Sequence, residues 1–252
     1  MTIEFPVTIY LFGYPMLIHP IVEWIGIFIG MRLYGFLKRG SKSNLTTIQS
    51  LTIILGALIG ALLGSKIIGT LENPVAFLNS NHPFLFFWTS NTIVGGLAFG
   101  LLGVEVIKKI IGYKESTGDL MVYPLIVAMI IGRIGCFLTG VAENTFGVPT
   151  DFIFGMYLGD EYLRHPVALY EIGFLIFLAL VIAILKRKLI YSSGFLFQFF
   201  MISYFTFRFF LDFIKPKINI LFHLSTIQFT CLVVICYYVF KLNRSNVKIK
   251  QE

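Results

Sequence analysis

Seven runs of apolar residues, each long enough to cross a bilayer as a helix, exclude most ways in which this chain could fold in water. Bridging the hydrocarbon core takes roughly 17–25 residues in a helix, and the runs at 20–37, 48–71, 92–111, 120–139, 166–185, 194–214 and 218–240 all reach that length. Lipid offers no partner for backbone N–H and C=O groups, so each run must satisfy its own, as an α-helix does. The predicted fold is therefore an all-α integral membrane protein with seven transmembrane helices, a single polytopic domain over 1–252 with an outer loop segment at 140–165. Apolar and aromatic residues continue through the turns around Pro83–Thr92 and Lys215–Phe222, which softens those boundaries and makes 83–91 a candidate re-entrant piece.

Lysine and arginine set the orientation, because short basic loops stay cytoplasmic. Lys38, Arg39 and Lys42 follow the first run, Lys108, Lys109 and Lys114 the third, Lys186, Arg187 and Lys188 the fifth, and Lys241, Arg244, Lys248 and Lys250 the seventh. These thirteen of the twenty basic residues fall on one side, against Arg164, Lys215 and Lys217 on the other. The N-terminus is predicted outside and the C-terminus in the cytoplasm. The first run is preceded by Glu4 and no basic residue, so it reads as a span rather than a cleaved signal. The net charge of +7 is accounted for by these loops, not by a nucleic-acid surface.

Gly56, Gly60 and Gly64 recur every fourth residue, as do Gly96 and Gly100, giving smooth stripes for close helix packing. Cys136, Cys231 and Cys236 lie in apolar stretches without metal-site or disulfide spacing and read as buried small residues. No metal is predicted.

A charge at mid-span costs about 2.5–3.5 kcal/mol on insertion scales, so it faces protein or water and frequently carries function. Arg32, Lys66 and Glu72 lie near span ends and can snorkel; Glu105 can pair with a nearby lysine. Arg133 cannot escape in this way, lying about 10 Å from the outer end of the fourth run, and needs an anionic partner or ligand. In the sixth run Tyr204, Arg208 and Asp212 are spaced by four and share a helix face, so Asp212 could neutralise Arg208. Glu171, about 7 Å into the fifth run, is the natural buried counter-ion for an arginine, while His165, ahead of Pro166, sits at the surface beside Glu143 and the rest of the outer loop. Two guanidiniums at one depth suit a phosphate, which a planar donor fork matches. Residue chemistry alone thus points to an outward-facing site for a phospholipid or another amphiphilic anion.

Three blocks carry a resemblance: Gly132-Arg133-Ile134-Gly135-Cys136-Phe137-Leu138-Thr139-Gly140, Phe146-Gly147-Val148-Pro149-Thr150, and Arg164-His165-Pro166 through Leu169-Tyr170-Glu171. In order and spacing the chain resembles prolipoprotein diacylglyceryl transferases, with further likeness at Gly95-Gly96, Arg208 and Gln228. The resemblance implies an enzyme of the bacterial cytoplasmic membrane that moves the diacylglyceryl group of phosphatidylglycerol to the lipobox cysteine thiol of a prolipoprotein, forming a thioether and releasing glycerol phosphate without a cofactor. Carried over by position, Arg133, Gly95, Gly96 and Lys215 would bind phosphatidylglycerol, Arg208 would assist headgroup departure, and Tyr204 and Asp212 would support it.

The chain departs from the family pattern where a proton must be accepted. Val94-Gly95-Gly96 replaces His-Gly-Gly, Cys136 replaces the asparagine after GRxG, Trp24-Ile25-Gly26 replaces Trp-Tyr-Gly, and Asp212-Phe213-Ile214-Lys215 replaces Glu-x-x-Arg. The thiolate is the nucleophile, so Glu143, Glu23 or His165 is expected to take the proton. The alternative readings are a related phospholipid-binding protein with another lipid transfer or no catalysis, and a small transporter.

Overall fold

A computed structural model describes residues 4–11, 13–41, 45–218, 223–242 and 247–249, with the side chains of Leu11, Leu242 and 247–249 outside the description. Of the basic residues used for orientation, Lys42, Arg244 and Lys250, and the side chain of Lys248, lie outside it, as does the 219–222 stretch of the seventh run.

The seven apolar runs each contain a helix, and two short helices are added. In chain order α1 is His19–Arg39, α2 Thr47–Leu71, α3 Pro74–Leu78, α4 Pro83–Thr89, α5 Ile93–Ile110, α6 Val122–Thr139, α7 Val167–Lys188, α8 Phe195–Leu211 and α9 Thr226–Leu242. Five helical segments are long and apolar enough to cross a membrane: His19–Arg39, Thr47–Leu71, Asp119–Ala142, Val167–Lys188 and Phe195–Ile214. Helix α5, of 18 residues, carries Glu105, Lys108 and Lys109 in its last turns, and α9 has 17 residues. Residue 83–91, the candidate re-entrant piece, forms the short helix α4. Helix α9 starts at Thr226 rather than 218, because Ser225 Oγ bonds Gln228 N at 3.1 Å and Gln228 Oε1 bonds Ser225 N at 3.0 Å, a reciprocal cap that fixes the first turn there. Short antiparallel hairpins pair β1 (Thr8–Leu11) with β2 (Tyr14–Leu17), β3 (Met156–Tyr157) with β4 (Leu163–Arg164), and β5 (Leu189–Tyr191) with β6 (Val247–Ile249).

Helices α5 to α9 enclose the main core, in which Phe200, Tyr204, Phe205, Ile126, Leu175, Ile182 and Met201 are almost fully buried. Helix α1 lies along α6 and α2 along α5. Glycine sets both approaches. In the second pair Gly56 faces Gly103, Gly60 faces Phe99, and Gly64 faces Gly95, so the stripe noted in the sequence is a packing surface. In the first pair Gly26 and Gly30 lie so close to the Ala128 and Pro124 carbonyls that an added Cβ would stand 2.9 Å from each. Asp119 takes bonds from Gly194 N at 2.7 Å and Phe197 N at 3.0 Å, capping α8 from a distant part of the chain.

Two sequence expectations are corrected, for Lys66 and Cys236. Lys66 does not snorkel: it is buried, bonds the Trp88 carbonyl and Asn91 Oδ1, and lies 5.3 Å from the Trp88 ring centre. Cys236 is exposed, unlike Cys136 and Cys231, because it falls on the outward face of α9. Glu23, offered as a proton acceptor, is exposed on α1 and within electrostatic reach of the buried Lys66.

Candidate functional site

One carboxylate organises the buried charge. Glu171, fully buried one turn into α7, takes the Arg133 Nε bond on Oε1 at 2.9 Å and the Arg208 Nη1 bond on Oε2 at 2.7 Å. The Tyr204 hydroxyl donates to the same Oε1 at 2.7 Å. Helix periodicity explains the placement: Tyr204 and Arg208 are four apart on α8 and project from one face toward α7. Two guanidiniums share one carboxylate, so a positive charge is left over. Burying such a group is unfavourable unless its donors are met; Arg208, 3% exposed, keeps its Nε without a partner among the described residues. An oxyanion placed there would find an unused donor and a net cationic setting.

Asp212 does not neutralise Arg208. The helix tightens into a 3-10 turn at Asp212–Ile214, and this turn directs the carboxylate to Ser225 Oγ at 2.5 Å instead. Asp212 thereby ties the end of α8 to the start of α9. Lys215 follows on the same turn, half-buried; burial and the neighbouring Arg208 cation hold its ammonium below the usual lysine range. Gly95 packs on Gly64 and Ile68 of α2, whereas an added Cβ at Gly96 would meet nothing closer than the Ala61 carbonyl at 3.6 Å. A methyl group would fit at Gly96 in ordinary contact with Ala61 and Ser65, and would not fit at Gly95.

Glu143 and His165, both expected to serve as proton acceptors, are not brought together. His165 Nδ1 lies 3.1 Å from the Tyr170 hydroxyl and its ring packs near Phe152, 6.0 Å between centres. Arg164, beside it, is held by Asp160 at 2.7 Å and stacks over Phe146, so it braces the outer loop; that guanidinium in turn holds the Asp160 carboxyl below the usual carboxylate range. Glu143 Oε2 instead meets His19 Nδ1 at 2.5 Å, and His19 Nε2 stands 3.5 Å from Cys136 Sγ. Arg133 Nη1 donates to the same sulfur at 3.4 Å. An unbroken row of polar groups therefore runs from Glu143 through His19, Cys136 and Arg133 to Glu171 and Arg208.

Sequence reasoning missed His19. It lies 117 residues from Cys136 and 124 from Glu143, and only the α1–α6 contact unites them. Gly135 is the key to that contact, since a Cβ built there would come within 2.7 Å of His19 Cδ2 and 3.3 Å of Val22 Cβ. One signal was available: His19-Pro20, His82-Pro83 and His165-Pro166 each stand at a helix start, and His19 opens at the end of α1 nearest the turn after α6.

A small recess borders this row, lined by Cys136, Gly140, Thr145 and Phe146 on one side and Pro166 and Ala168 on the other. Gly140 closes α6 with φ of +55°, a left-handed conformation that lets the Leu158 backbone cross directly over it. Among the described residues no three or more His, Cys, Asp or Glu side chains are arranged to hold a metal ion.

The fold and site define a polytopic helical membrane protein that holds two buried arginines on one glutamate beside a histidine–cysteine pair. Comparison with known proteins gives the family: the prolipoprotein diacylglyceryl transferase model matches residues 3–243, and the chain belongs to that family. Relatives named phosphatidylglycerol–prolipoprotein diacylglyceryl transferase include those of Bordetella parapertussis, 27% identical over 79% of this chain and 80% of the relative, and Photobacterium profundum, 29% identical over 77% and 76%. That of Clostridium tetani is 26% identical over 95% of this chain and 98% of its own length.

Proposed function

We propose that this chain is a phosphatidylglycerol–prolipoprotein diacylglyceryl transferase of the bacterial cytoplasmic membrane. The observation that carries the reading is the Arg133–Glu171–Arg208 bridge, in which one carboxylate leaves a positive charge and a spare Arg208 donor for a phosphodiester. The membrane topology that accompanies it is a single domain of seven spans, in which α5 and α9 join the five longer helices, with the N-terminus outside and the C-terminus cytoplasmic. The loop over 140–165 and the site then face outward, where a prolipoprotein arrives.

In this reading Arg133 binds the lipid phosphate, and Lys215, Gly95 and Gly96 contribute to lipid binding. The acceptor thiolate attacks the glycerol carbon of the diacylglyceryl group, the carbon–oxygen bond to phosphate breaks, and the electron pair leaves on glycerol phosphate. Negative charge grows on that oxygen, and Arg208 stabilises it while Tyr204 and Glu171 hold Arg208 in place. Asp212 acts through Ser225 by anchoring the turn that carries Lys215. Purified protein in vesicles should convert a lipobox peptide to its diacylglyceryl thioether when the vesicles contain phosphatidylglycerol, and not when they contain phosphatidylcholine alone. Binding of phosphatidylglycerol with no thioether product would leave only the lipid-binding alternative.

A further inference from the structure

Thiol alkylation needs a proton acceptor, and the position at which the family carries histidine is here Val94, fully buried in the apolar core. The chain supplies an imidazole from a different helix. His19 is oriented by Glu143 at Nδ1, which leaves Nε2 turned to the Cys136 sulfur. A carboxylate on one ring nitrogen fixes the tautomer and makes the other nitrogen more basic. Cys136 lines the recess beside the site and His19 does not, and the Cys136 sulfur stands 3.5 Å from His19 Nε2. Arg133 Nη1, at 3.4 Å from that sulfur, stabilises negative charge on it.

We propose that Cys136, His19 and Glu143 form a proton relay that accepts the proton of the acceptor thiol, Cys136 being the entry point in the recess and His19 the terminal base. This rests on the transferase reading. The acceptor S–H proton moves to Cys136 Sγ as the Cys136 proton moves to His19 Nε2; no net charge remains on Cys136. The acceptor thiolate then forms the carbon–sulfur bond, the carbon–oxygen bond to phosphate breaks, and the imidazolium returns its proton to the departing phosphate or to water. The charged and titratable groups that face the relay are Arg133 of α6, Glu143 of the following turn and Glu171 of α7. Cys136 is thus the proton-passing group, and Glu143 orients the histidine from the turn after α6.

The test is the rate of thioether formation by wild type, His19→Gln, Cys136→Ala and the double variant, against pH, in phosphatidylglycerol vesicles. A free cysteine of pKa about 8.5 is ionised to roughly 3% at pH 7, so losing the relay lowers the rate by about 30-fold there. By pH 9.5 the peptide thiol is roughly 90% ionised without help, and the variants should come within about 3-fold of wild type. The double variant should be no slower than either single one, as expected for groups in series. Thermal stabilisation by phosphatidylglycerol should be unchanged in His19→Gln, which separates a relay from a packing role. The proposal is overturned if either single variant keeps the wild-type rate at pH 7, if the deficit is the same at pH 9.5, or if His19→Gln no longer binds the lipid. A wild-type protein that makes no thioether removes the transferase reading itself and the relay with it, whereas the preceding outcomes remove the relay alone.

Discussion

Arg133 of α6 and Arg208 of α8 are tied to opposite oxygens of a single buried carboxylate, Glu171, at 2.9 and 2.7 Å. Neither guanidinium touches water freely, and their shared anion makes the three helices interdependent. Removing the anion leaves two uncompensated cations in a buried setting, which is far worse than never burying them.

Glu171→Ala is therefore expected to lose about 3–5 kcal/mol of stability. Thermal unfolding in detergent should show the loss, and Tyr204→Phe, which removes one neutral donor to the same oxygen, should lose only about 1 kcal/mol. Equal losses in the two variants would mean that the ion pairs are not what joins the helices.

Arg208→Lys keeps the charge but cannot reproduce a guanidinium that holds Glu171 through Nη1 and offers Nε elsewhere. The turnover rate should fall by about 100-fold, with a smaller change in the KM for phosphatidylglycerol, because the lost donor acts mainly as charge develops on the leaving oxygen. Arg133→Ala should show the opposite emphasis, a raised KM for the lipid. An Arg208→Lys enzyme with wild-type turnover would remove the assigned role.

Gly135→Ala places a methyl group within 2.7 Å of the built position of His19 Cδ2. Overpacking of this kind destabilises by about 1–3 kcal/mol, and here it also moves His19 from Cys136. The variant should reproduce the pH 7 rate deficit of His19→Gln while retaining phosphatidylglycerol binding. Gly132→Ala, where an added Cβ meets nothing within 4 Å, is the control and should behave as wild type.

Lys215 faces Arg208, Glu72, Arg133 and Asp212, and burial with the Arg208 cation lowers its pKa. Its ammonium is then lost on raising the pH before the usual lysine value of about 10.4 is reached. Affinity for phosphatidylglycerol should fall through that lowered midpoint, and Lys215→Met should bind a few-fold more weakly at pH 7 and lack the midpoint. Glu72 lies close to Lys215, and burial raises its carboxyl above the usual carboxylate range. An identical alkaline profile in Lys215→Met would assign the midpoint to another group.

Much of this site was legible in the sequence because its parts are local. Tyr204 and Arg208 share a face through the four-residue period, and a carboxylate one turn inside an apolar helix calls for a cation, which marked Glu171 as the counter-ion for an arginine. That each apolar run contains a helix, five of them long and apolar enough to cross a membrane, was legible because backbone in lipid has few alternatives. What was not legible depends on tertiary approach. Asp212 continues the Tyr204–Arg208 spacing, yet the 3-10 turn at 212–214 rotates it away to Ser225. His19 reads as a surface residue at a helix start, and becomes part of the site only because glycines at 26, 30 and 135 let α1 settle onto α6. Lys66 reads as a snorkelling group because the sequence does not reveal that the Trp88–Asn91 turn folds over it.

Phosphate held by the arginine pair is expected to leave as the thioether forms. The most direct measurement is simultaneous quantification, by mass spectrometry, of lipobox thioether and glycerol phosphate made by purified protein in phosphatidylglycerol vesicles. Equal molar amounts of the two are expected, with loss of both in Arg208→Ala. Thioether formed without glycerol phosphate, or both products at wild-type rates in Arg208→Ala, would contradict that expectation.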